Sequence, residues 1–271
     1  MIDETTPPIG VIGGSGFYEF VDEPRTVEVT TPFGPPSEPP TVGFIDGTPV
    51  AFVPRHGRDH RFAPHRVPYR ANMWALRSVG VRQVLAPCAV GSLQSHIGPG
   101  RLVVPDQLVD RTIGRDATFY DEPGPVVHVG FADPYCPTGR ETVLTVAGAQ
   151  DWPPIDGGTL VVVQGPRFST RAESHHHAAQ GWTVVGMTGQ PEATLARELA
   201  LCYTSIAVVT DLDAGVEAGA GVSRREVFEA FEASVSRLRS LLTGVVRTLP
   251  AERNCPCAHA LDGQQLPFAL P

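Results

Sequence analysis

The 271-residue chain reads as an α/β protein, a single domain built on a central β-sheet flanked by helices, and three observations lead there. Short β-rich runs recur along its length, and stretches with helical spacing separate several of them. The composition, 42% hydrophobic and 18% charged, supplies enough apolar side chains to close one sizeable core. Alternation of this kind places helices around a buried sheet, and at this length an α/β fold commonly stays one unit. The expected domain spans residues 1–250, followed by a C-terminal tail over 251–271 that carries a C-x-C element.

The strands are expected in "IGVIGG", "TVGFI", "QVLAPCAVG", "RLVVPD", "TLVVVQG", "WTVVGM" and "SIAVVTD". In "VPYRANMWALRSVG" the residues Met73, Leu76 and Val79 fall near helical spacing, and Gly80 supplies a left-handed stop. In "GVSRREVFEAFEASVSRLRSLLTGVV" Ser223 and Glu226 have capping-box spacing. Behind them Val227, Phe231, Val235, Leu238, Leu242 and Val245 line one face. The prolines of "TTPFGPPSEPPTVG" lack the amide hydrogens a central strand needs, which predicts an exposed loop. The final "NCPCAHALDGQQLPFALP" has neither a period nor the apolar content for a core of its own.

A formal charge of -8 argues against an electrostatic grip on nucleic acid or an anionic membrane. No stretch approaches the roughly 18 apolar residues of a membrane span, and the N-terminus has neither a basic region nor an apolar run. A cytoplasmic protein is expected. Cys88, Cys136, Cys202, Cys255 and Cys257 are odd in number and scattered, unlike a secreted disulfide framework, so reduced thiols are the default.

Three constellations could carry chemistry. The glycine turn Gly13, Gly14, Ser15, Gly16 lets backbone amides approach an anion and adds a hydroxyl donor, although it serves equally as a plain turn. It misses dinucleotide spacing, because Glu19 stands where a third glycine belongs. "VPRHGRDHRFAPHRVPYR" gathers cations at the end of a strand, where Arg55 offers a planar fork suited to phosphate and His56 a further hydrogen bond. A solvated basic loop is the other reading. In "VVTDLDAG" the period of two puts Asp211 and Asp213 on one side of an extended strand, a pair able to serve a base's ring nitrogen and exocyclic amine; a turn or helix cap would use them too. His175, His176 and His177 are adjacent on a helix, point about 100° apart and suit a solvated face better than a metal.

Taken in order, "GVIGGSGFY", "TPFG", "PRHGRDH", "YRANMWAL", "VGSL", "PDQLVDRT", "FADPYCP", "GPRFSTRAES", "GMTGQPEATLARE" and "CYTSIAVVTDLDAG" resemble the 5′-methylthioadenosine phosphorylases of the trimeric purine nucleoside phosphorylase family. The matches run from about Ile9 to about Leu249. The resemblance implies a mixed β-sheet of the nucleoside phosphorylase type and phosphorolysis of a purine nucleoside, with inorganic phosphate as co-substrate and no metal or organic cofactor. Phosphate would meet Ser15, Arg55, His56, Thr188 and the chain around Cys88 and Ala89. The nucleoside would meet Phe168, Ser169, Met187, Val227 and Phe228. Asp211 and Asp213 match the catalytic pair that faces N7 and the 6-amino group, and His128 matches a histidine lent by a neighbouring subunit of a homotrimer, itself able to pair into a hexamer. The C-x-C element resembles one that forms a redox-sensitive disulfide in some members; an inert thiol pair is the alternative.

Three positions depart from the family pattern. Cys88 stands where threonine is common, Gly186 replaces an asparagine, and Arg224 lies where the 5′ substituent usually meets an apolar residue. Gly186 and Arg224 lean toward a phosphorylase of inosine, guanosine, methylthioinosine or another 5′-substituted nucleoside. Asp211 leans toward a 6-aminopurine, since a carboxylate accepts from an amino group. A non-catalytic nucleoside-binding relative would be expected to have lost Arg55, His56 or the aspartates, and all are present.

Overall fold

A computed structural model of the chain describes residues 6–14, 21–216 and 221–271. In chain order the strands are β1 (Ile9–Gly13), β2 (Asp22–Thr26), β3 (Thr41–Ile45), β4 (Thr48–Pro54), β5 (Gln83–Ser92), β6 (Leu102–Val104), β7 (Gln107–Arg111), β8 (Ile155–Asp156), β9 (Thr159–Val163), β10 (Val184–Gly186) and β11 (Cys202–Leu212). The helices are α1 (Tyr69–Ser78), α2 (Pro137–Ala149), α3 (Arg171–Ala179), α4 (Glu192–Glu198) and α5 (Arg224–Thr248). The expected class holds: the described strands form one mixed sheet with helices around it.

The sheet runs β2-β3-β4-β1-β5-β10-β9-β7, with β11 on β5 and β6, and β8 on β6. Strand β5 is the branch point. Its first half pairs with β1 in parallel (Ile9 opposite Gln83), its last residues pair antiparallel with β10 (Val184 opposite Ser92), and β11 follows it throughout. Such burial on both faces explains why β5 and β11 read as continuous apolar runs instead of alternating ones. The chain leaves β1 for β4 on one side and reaches β5 on the other, so a crevice opens at the carboxyl ends of these strands.

Helix α1 occupies the predicted segment, and Gly80 adopts φ +94° with its N–H on the Arg77 carbonyl, as the left-handed stop requires. Ser223 caps α5 by accepting from the Glu226 N–H at 3.3 Å. The Glu226 carboxylate takes the Ser223 hydroxyl hydrogen, so the Ser223 and Glu226 pair interacts through both groups. Leu238, Leu242 and Val245 of the predicted face are buried in the core, together with Leu241 and Val246. Toward the N-terminus the same helix overhangs the crevice with Val227, Phe228 and Phe231. Helix α3 begins with a capping box that pattern reading missed, Thr170 and Glu173.

Two expectations change. The proline-rich segment is irregular, as its missing amides dictate, but it is not simply exposed. Ser37 is fully buried; its hydroxyl donates to the Pro54 carbonyl at 2.6 Å, and its N–H donates to Asn72 Oδ1 at 2.7 Å. The loop thereby holds the end of β4 against α1. Nor is the histidine run wholly solvated: His177 is buried 5.4 Å from the Trp182 ring, while His175 and His176 are exposed.

Candidate active site

A cavity of about 610 Å³ lies at the carboxyl ends of β1, β4, β5, β10 and β11, a volume suited to a nucleoside-sized ligand. Its wall contains Arg55, His56, Cys88, Ala89, Phe168, Ser169, Met187, Thr188, Asp211, Asp213, Val227 and Phe228. Those side chains come from six separate stretches of sequence. Gly14 also lines the cavity, whereas Ser15 lies outside the described residues. His128 is exposed and is not part of this wall; its carbonyl accepts from Gln264 Nε2 at 2.9 Å.

At one end stands Arg55, directly after β4 and almost fully buried. Its Nε and Nη2 grip both oxygens of Glu192, its Nη2 also donates to the Ile12 carbonyl, and its Nη1 donates to the Pro87 carbonyl. Four of the five N–H groups are thus committed, leaving one on Nη1 for a ligand. The fork anticipated for phosphate is spent on Glu192, so Arg55 presents a fixed donor of rigid geometry instead of an open clamp. Burial alone would lower its pKa, but Glu192 more than offsets this and raises it above the ordinary value. The Tyr203 hydroxyl donates to Glu192 Oε2 at 2.8 Å, completing that carboxylate's surroundings.

His56 sits beside it, stacked on His60 at 4.3 Å. Its Nδ1 lies 2.9 Å from the Phe62 carbonyl, which can only accept, so Nδ1 carries the proton and Nε2 is an acceptor in the neutral ring. Burial, with help from Arg55, pushes its pKa down to about 4. A phosphate bound here must either bring a proton to Nε2 or draw one onto it.

At the other end, β11 delivers the two aspartates. The pairing of β11 with β5 shifts register between Val209 and Asp211, a bulge that re-aims the strand end. Both side chains flank Gly91 on β5: a Cβ there would come 2.9 Å from Asp211 Oδ1 and 3.4 Å from Asp213 Cβ. The pair therefore shares one side, as the period of two predicts, and a side chain at Gly91 would press on the Asp211 carboxyl. Desolvation raises the Asp211 pKa to about 6, opposed by the Thr210 hydroxyl at 2.8 Å and reinforced by Asp213. Asp213 is buried and accepts a short hydrogen bond from the Ser174 hydroxyl on α3. One carboxyl poised to hold a proton beside a second, hydrogen-bonded and anchored carboxyl is an arrangement suited to general acid chemistry.

Met187 and Thr188 follow β10 between these ends. They are held by a residue that motif reading did not single out, Arg115, whose guanidinium donates to the carbonyls of Gln164 at 2.9 Å, Met187 at 3.0 Å and Gln190 at 2.6 Å. Glu192, Ser174 and Arg115 were all missed for one reason. Each acts on a partner far off in sequence, 137 residues in the case of Arg55 and Glu192, and no local spacing marks that. A buried arginine demands a buried acceptor, and this was the one usable signal. At the mouth, Arg224 lies over the Phe228 ring at 5.0 Å, and Phe228 remains 42% exposed.

The family model described as "Phosphorylase superfamily" matches residues 8–247. A purine nucleoside phosphorylase of Streptomyces coelicolor is 60% identical over the full length of both chains. An S-methyl-5′-thioadenosine phosphorylase of Mycolicibacterium smegmatis is 57% identical, covering 97% of this chain and 99% of its own. Among solved structures, a methylthioadenosine phosphorylase from an antarctic soil metagenomic library superposes with a TM-score of 0.89 at 36% identity, over 96% of this chain and 92% of that one. With the family model spanning nearly the whole fold and the cavity at its strand ends, this chain belongs to the phosphorylase superfamily.

Proposed function

We propose that this enzyme phosphorolyses 5′-methylthioadenosine: phosphate attacks the anomeric carbon, the glycosidic bond breaks, and adenine and 5-methylthioribose 1-phosphate leave. The observation that carries the reading is Asp211 at the cavity's inner end, a carboxyl with its pKa raised to about 6 and a second carboxylate beside it. As the bond breaks, the sugar gains positive charge and the purine negative charge. The protonated oxygen of Asp211 donates to N7, and its other oxygen accepts from the 6-amino group. Phosphate, bound between Arg55, His56, Thr188 and the chain at Cys88 and Ala89, lies beneath the sugar and offsets its charge. Met187 packs against the ribose and Phe168 against the base. Side chains and phosphate supply all of this chemistry. The names of relatives support the substrate, as does the apolar rim of Val227, Phe228 and Phe231 for a methylthio group.

A homotrimer acting in the cytoplasm, in purine and methionine salvage, completes the proposal. The exposed Phe228 at the mouth and the exposed His128 outside it both suit a site finished by a neighbouring subunit. Among the described residues no helix is long and apolar enough to cross a membrane. A purine nucleoside phosphorylase with another preference is the second reading, favoured by Arg224 at the rim and by the name of the Streptomyces relative. Base release from methylthioadenosine, methylthioinosine, adenosine and inosine, followed by chromatography with and without phosphate, decides. Adenine released from methylthioadenosine, and only with phosphate, is expected. Preference for the 6-oxo substrates would sink the role given to Asp211, and no release at all would leave a nucleoside-binding protein.

A further inference from the structure

Four of the five cysteines, scattered in the sequence, meet in space far from the active site. Cys136 is the N-cap of α2, Cys202 opens β11, and Cys255 and Cys257 flank Pro256 in the C-terminal segment. Their sulfur atoms all lie within 4.8 Å of one another, and Cys202 and Cys255 are 3.3 Å apart. Each cysteine is at most 4% exposed. A tetrahedral ion with metal–sulfur bonds of about 2.3 Å needs sulfurs about 3.8 Å apart, so the quartet is already close to that spacing.

The surroundings favour thiolate. The Gly139 N–H, in the first turn of α2, points at Cys136 Sγ from 3.5 Å, and Arg253 Nη1 lies 3.9 Å from Cys202 Sγ. Cys257 Sγ lies among the other three sulfurs, and the Arg197 charge acts on it. Helix N-termini, guanidinium groups and N–H donors stabilise negative sulfur. Full burial leaves no room for a water ligand, which is the character of a structural metal site.

We infer that Cys136, Cys202, Cys255 and Cys257 form a four-thiolate structural site for a zinc ion. Four soft sulfur ligands in tetrahedral order select this ion over the oxygen-seeking divalent cations. Binding releases the protons still held by the thiols, and the twofold positive ion with Arg253 and Arg197 balances the four thiolates. The site gives the C-terminal segment the anchor its composition cannot. Residues 251–271 are bound to the start of β11 and to α2, and Arg253 adds hydrogen bonds to the carbonyls of Ala200 and Arg82. Farther along, Gln264 braces the His128 carbonyl, and Phe268 packs on Trp74 and Tyr120. Strand β11 runs about 30 Å from Cys202 to the aspartates, so the ion has no part in the chemistry.

The test is metal analysis of the full chain, purified under reducing conditions and passed into metal-free buffer. About one zinc ion per chain is expected, released as a thiol-specific mercurial titrates four sulfurs. Replacement by cobalt(II) should give sulfur-to-metal charge-transfer bands and the visible absorption of tetrahedral cobalt, both lost in Cys255→Ser and Cys257→Ser. Should those variants fail to fold, the wild-type stoichiometry and cobalt spectrum still decide. Five freely titrating thiols with no bound zinc after reconstitution would overturn the inference. So would a chain that excludes zinc because mass spectrometry finds the quartet paired as two disulfides, or one that carries iron or copper in its place.

Discussion

Replacing Asp211 by asparagine should weaken catalysis and strengthen the fold at once. In the folded chain the carboxyl keeps its proton up to about pH 6; in the unfolded chain it ionises near pH 4. Between those values the folded state binds more protons, so stability falls as pH rises through the window and the cost is fully present above pH 6. A gap of about two pH units corresponds to at most about 3 kcal/mol. Asp211→Asn removes that cost, so its thermal midpoint should exceed the wild type at pH 7.5 and match it near pH 4. The amide cannot transfer a proton, so kcat/KM for methylthioadenosine should drop on the order of 10²- to 10⁴-fold. The wild-type profile at saturating phosphate should fall by about tenfold per pH unit above pH 6, and the variant should lose that limb. Steady-state rates from about pH 5 to about pH 8.5, with scanning calorimetry of both proteins, provide the assay. A wild-type profile flat from pH 6 to 8, or a variant that keeps the limb, would refute Asp211 as the acid.

Other perturbations test the supports of the site. Gly91→Ala puts a methyl 2.9 Å from Asp211 Oδ1 and should cost about 10- to 100-fold in kcat with little loss of phosphate affinity, read from steady-state kinetics in both substrates. Arg115→Lys cannot span the carbonyls of Gln164, Met187 and Gln190; nucleoside KM should rise about tenfold, for about 1.4 kcal/mol of lost positioning, while the pH profile keeps its shape. Glu192→Gln leaves the buried Arg55 charge without its counter-ion and should destabilise the chain by about 3–5 kcal/mol in denaturant unfolding, far more than an exposed pair such as Arg225 with Glu229 would.

Much of this protein is readable from its residues in order. Strand-like runs punctuated by glycine, together with the period of α5, specify the layered α/β class because burial and backbone geometry act locally. Asp211 and Asp213, two apart at the end of β11, share the side that a period of two predicts, and Gly80 ends α1. Other facts depend on chain closure over long distances. That Arg55 spends its fork on Glu192 follows from how α4 packs against α1 and β11, since a buried guanidinium takes whichever carboxylate the fold brings to it. His56 is a neutral ring only because the fold buries it, and its Nε2 is the acceptor because the Phe62 carbonyl takes the Nδ1 hydrogen. Cysteines that look scattered along the chain share one point because β11, α2 and the C-terminal segment converge there. Sequence alone settled which residue types face one another along an element; tertiary structure decided which elements meet, and with them the charge, proton and metal chemistry of every buried polar group.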